Sequence, residues 1–348
     1  MVGDNNLSGF APENRDSLMN GMKNFYSTAN ILVYIDNYDS APTLWQLKKT
    51  KNNKVQMKSL KTYDEQNSLD TDVMSSIIRE TFSEFKADEK YLLLWSHGSG
   101  WLPSKNFTPN KAPMKRSFGV DARPATAYQE IWDLRSSIEK SGVYFDAIIF
   151  DACHMASVEV AYELKEVTDY LIASPTEVQG RGFPYADLAP LFGMTQLAPQ
   201  RICEAYMNYY DGSSPEKTGA ISLISTAGLD ELASCIFFLR RLYTFDINCI
   251  YSTQQYGRSI TGLTRSFYDL KDLYAHLPLS SSDMTRLEAA LSRVVFFSYN
   301  TPYFAEDEWG ERLELKNCCG LSIFVPELSN NSKYRDSYSK LRWYDAIY

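Results

Sequence analysis

Tyr91-Leu92-Leu93-Leu94-Trp95-Ser96-His97-Gly98-Ser99-Gly100 and Ala147-Ile148-Ile149-Phe150-Asp151-Ala152-Cys153-His154-Met155 are two segments built on the same pattern. Each is an apolar run of strand length that stops at a reactive side chain, His97 in the first and Cys153 in the second. Short apolar runs bounded by polar residues and glycine are typical of buried strands in a parallel sheet. The two segments therefore predict neighbouring strands whose carboxyl ends carry a histidine and a cysteine.

A histidine and a cysteine at one sheet edge suggest nucleophilic catalysis. Functional sites of open α/β sheets form beyond the carboxyl ends of the strands, and a thiol nucleophile works with a nearby base, usually His. Of the other two histidines, His154 adjoins Cys153 and should point to the opposite side. His276 has the pattern of a helix end. We therefore expect a dyad of His97 and Cys153.

Residues around the dyad suggest further roles. The N–H groups of Gly98 and Cys153 could form an oxyanion hole, and a helix predicted over residues 155–167 would favour the thiolate through its positive end. Asp151 lies two residues before Cys153, on the same face of the strand, and could bind a cationic substrate group or cap that helix. Glu177, in a loop, is either a solvated surface residue or part of the site.

Strand and helix patterns alternate from residue 30 to residue 175, which predicts an α/β fold with a mostly parallel central sheet covered on both faces. The pattern also predicts a hairpin over residues 42–60 and a helix over 284–298. We expect residues 1–225 to form the core domain. Residues 226–348 should form an extension packed on the same domain, with helices and at least one strand.

Composition excludes several classes of protein. The net charge is −8 with acidic and basic residues well mixed, so nucleic acid is not an expected partner. No apolar run approaches the ~20 residues that cross a bilayer. The six cysteines show neither zinc-ligand spacing nor the short chain typical of disulfide scaffolds. These features indicate a globular protein in which five cysteines are packing residues and Cys153 is distinct.

The motifs resemble those of the clostripain family of bacterial cysteine peptidases, which belongs to the caspase-like group with legumain and gingipains. The matching segments are Ser96 to Trp101, Asp151 to Leu164, Gly3-Asp4-Asn5-Asn6-Leu7 and Gly180-Arg181-Gly182-Phe183-Pro184-Tyr185. The resemblance implies a caspase-like α/β/α sandwich with a central, mostly parallel sheet. It also implies a dyad of His97 and Cys153; their separation of 56 positions fits the interval of about 50 known for caspases.

The resemblance further implies an endopeptidase that cleaves peptides and proteins after Arg or Lys, with Asp151 at the base of the S1 pocket and Glu177 as a second candidate there. Some members activate themselves by cleavage between the two catalytic strands; the loop over residues 105–116 offers Lys111, Lys115 and Arg116. Calcium activates some members, but the chain has no EF-hand pattern. We expect a monomer that requires no cofactor and is exported from a bacterium, with its leader absent from this sequence.

Two departures from the family pattern concern the predicted S1 pocket, and two alternative functions remain open. His154 stands where the family has an apolar or aromatic residue, and Arg181 and Phe183 stand in a segment that often contains Gly-x-Gly-Trp. One alternative is a caspase-fold peptidase with a non-basic P1 preference, in which Asp151 caps the helix. The other is a binding protein of the same fold with a dormant site.

Overall fold

A five-stranded sheet carries both of the segments that end in His97 and Cys153. The computed structural model describes residues 1–50, 52, 54–103, 118–194, 196–214, 217–246, 251–258, 266–306, 312–329 and 331–348. Its strands are β1 Val2–Gly3, β2 Ile31–Asn37, β3 Ser40–Lys49, β4 Val55–Thr62, β5 Tyr91–Trp95, β6 Phe118–Asp121, β7 Ala127–Gln129, β8 Phe145–Asp151, β9 Thr168–Ala173, β10 Ala220–Ser225, β11 Tyr268–Asp269, β12 Val295–Asn300, β13 Tyr303–Glu306, β14 Arg312–Glu314 and β15 Ser322–Ile323.

The central sheet has the order β12-β10-β9-β8-β5. Strands β5, β8 and β9 are parallel, whereas β10 and β12 are antiparallel to their neighbours. The predicted α/β class is confirmed, and the half of the sheet that carries the two segments is parallel as expected. The whole sheet is mixed, however, because β10 runs in the opposite direction to the other four strands. A second sheet of order β1-β2-β3-β4 contains the predicted hairpin as β3 and β4.

Helices cover both faces of the central sheet. They are α1 Phe10–Gly21, α2 Thr71–Glu84, α3 Ile131–Ser141, α4 Val158–Leu164, α5 Tyr185–Leu191, α6 Gln200–Asn208, α7 Leu229–Leu242, α8 Leu270–Ala275, α9 Ser281–Ser292, α10 Ser332–Tyr338 and α11 Arg342–Ile347. Among these described helices, none has the length and apolar character needed to cross a membrane.

The side chains of β8 alternate between two apolar cores. Ile148 and Phe150 join one core with residues of α2, α3, α4 and α7, whereas Ile149 joins a second core with residues of α1, α5 and α6. Successive strand residues point to opposite faces, so a continuous apolar run is what a strand covered on both sides requires. This arrangement confirms the predicted sandwich of helices around a sheet.

Two predicted helices differ from the structure. The helix expected to begin at residue 155 begins at Val158, because Ser157 accepts a hydrogen bond from the Val160 N–H and serves as its N-cap. The helix expected over residues 284–298 ends at Ser292, and the β-branched and aromatic residues that follow form β12 at the edge of the sheet. Both errors shift the boundary between a helix and an adjacent extended segment.

Glu159 of α4 connects the sheet to the C-terminal segment. Its side chain is fully buried, and Oε1 accepts hydrogen bonds from the Phe324 N–H at 2.8 Å and from the Tyr338 hydroxyl at 3.2 Å. Burial raises the pKa of this carboxyl from 4.5 to about 7, and the two donors only partly oppose the effect. Glu159 therefore holds its proton more tightly in the folded chain than in the unfolded chain.

This pKa predicts a pH-dependent contribution to stability. A carboxyl with a raised folded pKa stabilises the fold fully below about pH 4.5, and this contribution is lost as the pH rises to about 7. Glu159→Gln does not titrate and keeps an oxygen acceptor. From pH 5 to pH 8, wild type should lose about 2 kcal/mol relative to Glu159→Gln in urea unfolding. A difference between the two proteins that stays constant with pH would contradict the assignment.

Candidate active site

The register between β5 and β8 places His97 and Cys153 at the same edge of the sheet. Trp95 is paired with Asp151 in this parallel ladder, and the two site residues each follow two positions later. The backbones then approach closely: a Cβ added at Gly98 would lie 2.7 Å from the Cys153 carbonyl oxygen and 3.1 Å from its nitrogen. Only glycine fits there, because real Cβ contacts are longer than 3.0 Å. The structure thus brings together His97, Gly98 and Cys153.

Asn6 holds the His97 ring from the other side. His97 Nε2 lies 2.5 Å from Asn6 Oδ1. An amide oxygen can only accept, so Nε2 donates its hydrogen and Nδ1 carries the lone pair. Asn5 fixes this turn, because its Nδ2 donates to the carbonyl oxygens of Val2 and Val120. Asn6 lies in the motif Gly3-Asp4-Asn5-Asn6-Leu7, but no local sequence pattern predicts its contact with His97.

The Cys153 thiol lies against the backbone of Val178. The Val178 N–H donates to Sγ at 3.3 Å, and the thiol is directed at the Val178 carbonyl oxygen at 3.8 Å. Burial, and next the Glu177 carboxylate, raise the pKa of Cys153 to about 12, while the Val178 N–H and Arg258 lower it. The expected thiolate stabilisation by α4 is therefore wrong for this structure, because that helix begins five residues after Cys153.

Asp151 is enclosed under the loop that leads into α5. Its Oδ2 accepts hydrogen bonds from the Tyr185 hydroxyl at 2.6 Å and from the Phe183 N–H at 3.1 Å. Burial raises the pKa of Asp151 to about 6, against the effect of these two donors. Since Ser157 is the N-cap of α4, Asp151 does not cap that helix. The Asp151 carboxyl is thus buried next to the site, and its hydrogen-bond partners among the described residues include no cation.

Glu177 lies at the rim of a groove of about 570 Å³. The groove is also lined by Val178, Gln179, Lys217, Thr218, Arg258, Thr301, Pro302, Tyr303, Phe304 and Arg312. Glu177 pairs with Arg258 at 2.6 Å, and both side chains are about one fifth exposed. Because Val178 contacts the thiol, this groove adjoins the candidate nucleophile. Glu177 supplies the carboxylate in the groove lining given above.

The other two histidines lie in different settings. The buried ring of His154 stacks on Phe267 with centroids 4.6 Å apart, and its Nδ1 lies 3.0 Å from the Pro175 carbonyl oxygen. His276 follows α8, with Nδ1 2.8 Å from the Asp272 carbonyl oxygen. These contacts agree with the inference that His97 is the candidate base. Lys111, Lys115 and Arg116 lie outside the described residues.

Comparisons with known proteins agree with this geometry. The sequence matches the family model Peptidase_C11, described as the clostripain family, over residues 1–348. It is 30% identical over 127 residues to clostripain of Hathewaya histolytica, a match that covers 35% of this chain and 24% of that protein. The matched part therefore spans about a quarter of the length of that curated relative.

Three solved structures are similar to the whole chain or to most of it. A secreted C11 cysteine protease from Bacteroides thetaiotaomicron, "iotapain", superposes with a TM-score of 0.86 at 26% identity, covering 100% of this chain and 97% of that one. An inactive zymogen C11 protease from Parabacteroides distasonis superposes with a TM-score of 0.84 at 29% sequence identity. This match covers 100% of this chain and 96% of that one. A clostripain from B. thetaiotaomicron in complex with the peptide inhibitor BTN-VLTK-AOMK superposes with a TM-score of 0.57 at 30% sequence identity. This match covers 63% of this chain and 95% of that one.

Gly182 should be indispensable for the position of Asp151. Its φ is +68°, and an added Cβ would lie 2.3 Å from Asp151 Oδ2. Gly182→Ala should therefore lower the free energy of unfolding by about 2–4 kcal/mol, from backbone strain and from displacement of a buried, hydrogen-bonded carboxyl. Gly142→Ala is the matched control, because its φ is +72° and no atom lies within 4 Å of the added Cβ.

The control should lose only about 1 kcal/mol, the cost of a left-handed alanine. Urea unfolding of both variants measures the difference. Equal losses in the two variants would mean that Gly182 matters only for its backbone conformation and that Asp151 can move freely.

Proposed function

The chain belongs to the clostripain family, and we propose that it is a cysteine endopeptidase that cleaves peptides and proteins after Arg or Lys. The observation that carries this proposal is the parallel register that sets His97 and Cys153 at equal offsets beyond Trp95 and Asp151. A base and a thiol at one sheet edge are the minimum that acyl transfer through a thioester requires.

The state of the thiol defines the first step. With a pKa of about 12, Cys153 carries its proton at neutral pH. When sulfur attacks the scissile carbonyl carbon, the C–S bond forms and the thiol proton passes to His97 Nδ1. The N–H groups of Gly98 and Cys153 donate to the oxyanion that develops on the carbonyl oxygen. Asn6 keeps Nε2 protonated, so Nδ1 receives the proton.

Release of the first product returns the proton. The C–N bond breaks, and His97 gives the proton to the leaving amine, which departs neutral. Water then attacks the thioester and loses a proton to His97; the C–S bond breaks, sulfur recovers a proton, and the acid product is released. His97 therefore acts as acid in one half of the reaction and as base in the other.

A basic P1 side chain is supported by the charges around Cys153. Asp151 is buried without a cationic hydrogen-bond partner and has a pKa of about 6, so a guanidinium or ammonium group brought near it would favour its ionised form. Glu177 offers a second carboxylate at the rim of the adjoining groove. The inhibitor bound by the B. thetaiotaomicron clostripain, written VLTK, ends in lysine.

Further proposals concern maturation and location. We propose that the chain cleaves itself at Lys111, Lys115 or Arg116, as the zymogen described for the P. distasonis relative would suggest. We also propose that it is exported, in keeping with the secreted relative. It should act as a monomer. Residues 1–225 should form the peptidase core, and residues 226–348 should form an extension packed on the same domain. The dyad chemistry itself requires no cofactor.

Fluorogenic peptides with Arg, Lys, Asp, Asn or Leu at P1 test the activity. The proposed enzyme should cleave the Arg or Lys substrates, and Cys153→Ala and His97→Ala should lower kcat/KM by at least about 10³-fold. Cys235→Ala and His276→Ala are matched controls outside the site and should keep most of the activity. Turnover of another P1 class alone would retain the dyad and reject the basic pocket; no turnover would favour the dormant-site alternative.

Asp151→Asn tests the basic pocket. The asparagine oxygen can still accept from Tyr185 and Phe183, so the loop should keep its position. We expect kcat/KM for Arg substrates to fall about 100-fold, whereas any residual turnover of a Leu substrate should change little. Glu177→Gln should lower kcat/KM for the same Arg substrates by a smaller factor. An equal loss on all substrates after Asp151→Asn would show that Asp151 supports the fold and does not select P1.

A further inference from the structure

The carboxylate of the groove beside Cys153 is already paired with a cation of the chain itself. Glu177 Oε2 accepts a hydrogen bond from Arg258 Nη2 at 2.6 Å. The two side chains are each about one fifth exposed, and both line the groove of about 570 Å³. An acid that a substrate side chain would meet in this groove is therefore occupied before any substrate arrives.

The backbone on both sides of Glu177 is fixed at the site. The preceding residue, Thr176, accepts a hydrogen bond on its carbonyl oxygen from the His154 N–H at 2.8 Å. The following residue, Val178, donates its N–H to Cys153 Sγ at 3.3 Å. The Glu177 carboxylate thus extends from a segment that contacts the candidate nucleophile, and its position relative to the thiol is set by these two hydrogen bonds.

Arg258 reaches the groove from the C-terminal extension. Two residues earlier, the buried Tyr256 donates its N–H to the Phe267 carbonyl oxygen at 2.9 Å and its hydroxyl to Asp269 Oδ2 at 2.7 Å. Arg258 Cζ also lies 5.9 Å from the centroid of the Phe304 ring, within the range of a cation–π contact. The extension therefore anchors the segment that carries the guanidinium and provides an aromatic ring beside it.

The remaining charges in the groove do not favour a basic substrate side chain. Lys217 and Arg312 are the other charged residues of the described lining, and both are cations. Three cations thus accompany one carboxylate in that lining. Because like charges repel, a guanidinium or ammonium group entering the groove gains little from Glu177 while Arg258 neutralises it.

The pair uses only half of the Glu177 carboxylate. Oε1 is buried and has no hydrogen-bond partner among the described residues, whereas Oε2 accepts from Arg258. A buried carboxylate oxygen without a donor is costly. A substrate guanidinium that contacts both oxygens, as bidentate Arg–carboxylate pairs do, would satisfy the carboxylate better than Arg258 does. This difference favours an exchange of partners when a peptide binds.

We propose that Arg258 is a specificity-determining residue that competes with the basic side chain of the substrate for Glu177. The P1 residue carries the carbonyl that Cys153 Sγ attacks, so its side chain enters the space beside Val178 and next to Glu177. The substrate cation then replaces Arg258 on the carboxylate, and the displaced guanidinium stays against Phe304. The inference rests on the proposed function and extends it by giving a residue of the C-terminal extension a role in substrate choice.

Binding of fluorescein-labelled peptides to the full chain tests the competition. One peptide carries Arg at P1 and its partner carries Leu there, and all proteins carry Cys153→Ala so that neither peptide is cleaved under the proposed mechanism. Arg258→Gln removes the competing charge, so the Arg peptide should bind about 10-fold more tightly. The affinity for the Leu peptide should change little. Fluorescence anisotropy measures both dissociation constants.

Three further variants in the same background control for charge, position and partner. Arg258→Lys keeps the charge and should bind the Arg peptide as the parent does. Arg293→Gln is the matched control, because Arg293 pairs with Glu231 outside the groove lining. Combining Arg258→Gln with Glu177→Gln should cancel the gain, since no carboxylate is then released. Melting temperatures verify folding; if Arg258→Gln does not fold, Arg258→Met, which keeps an apolar stem, takes its place.

Three outcomes of the binding experiment would overturn the proposal. The first is an affinity for the Arg peptide that Arg258→Gln leaves unchanged or weakens. The second is an equal gain for the Leu peptide, which would show a general effect on the groove. The third is a gain that persists in the combined variant, which would exclude Glu177 as the carboxylate for which Arg258 competes.

Peptidase assays with Cys153 intact separate this proposal from the proposed function. Arg258→Gln should lower KM for Arg substrates and change kcat by a smaller factor, because the exchange of partners precedes the chemical step. Cleavage of Arg substrates with KM and peptide affinity both unchanged would support the peptidase and reject the role of Arg258. Tighter binding of the Arg peptide by a chain that cleaves no peptide would contradict the proposed function and leave the competition at Glu177 standing.

Discussion

The parallel pairing of β5 with β8 is the constraint on which the candidate site depends. A ladder fixes which residues lie side by side, and a slip of one residue would turn the side chains that follow to the opposite face. Here the pair Trp95 and Asp151 sets equal offsets for His97 and Cys153. The contact of Gly98 with the Cys153 backbone requires the same register, since an added Cβ would collide there. Register and glycine together define the geometry available for catalysis.

Buried carboxyls are the second recurring feature, and they differ in their hydrogen-bond partners and surroundings. Glu159 is held by two neutral donors and retains its proton up to about pH 7, so it acts as a hydrogen-bonded part of the core. Asp151 has two donors as well, but it lies beside the nucleophile. Asp4 and Asp36 each keep one oxygen without a partner. Glu159 Oε2 also lacks a hydrogen-bond partner among the described residues, so incomplete pairing of a buried carboxyl occurs both in the core and at the N-terminal turn.

The sequence predicted those parts of the structure that depend on local pattern. Continuous apolar runs identified β5 and β8, and the reactive residues at their ends identified His97 and Cys153, because strand ends meet at one sheet edge. The start of α4 was misplaced because the segment offers two candidate N-cap residues, Asp151 and Ser157, and only the chain path shows that Ser157 caps the helix. The reversed direction of β10 and the contact of Asn6 with His97 depend on pairings between distant residues, which no local pattern encodes.

The protonated state of the Cys153 thiol makes the orientation of the His97 ring important for catalysis. Burial and Glu177 keep Cys153 protonated, so attack requires that a base be correctly oriented at the moment of reaction. The ring of His97 is oriented by Asn6, Asn6 by the turn that Asn5 anchors, and that turn begins at Asp4. Asp4 in turn contacts Arg123 and shares a cluster with Asp36 and Glu65. The turn that orients the His97 ring therefore begins at a residue of this buried acidic cluster.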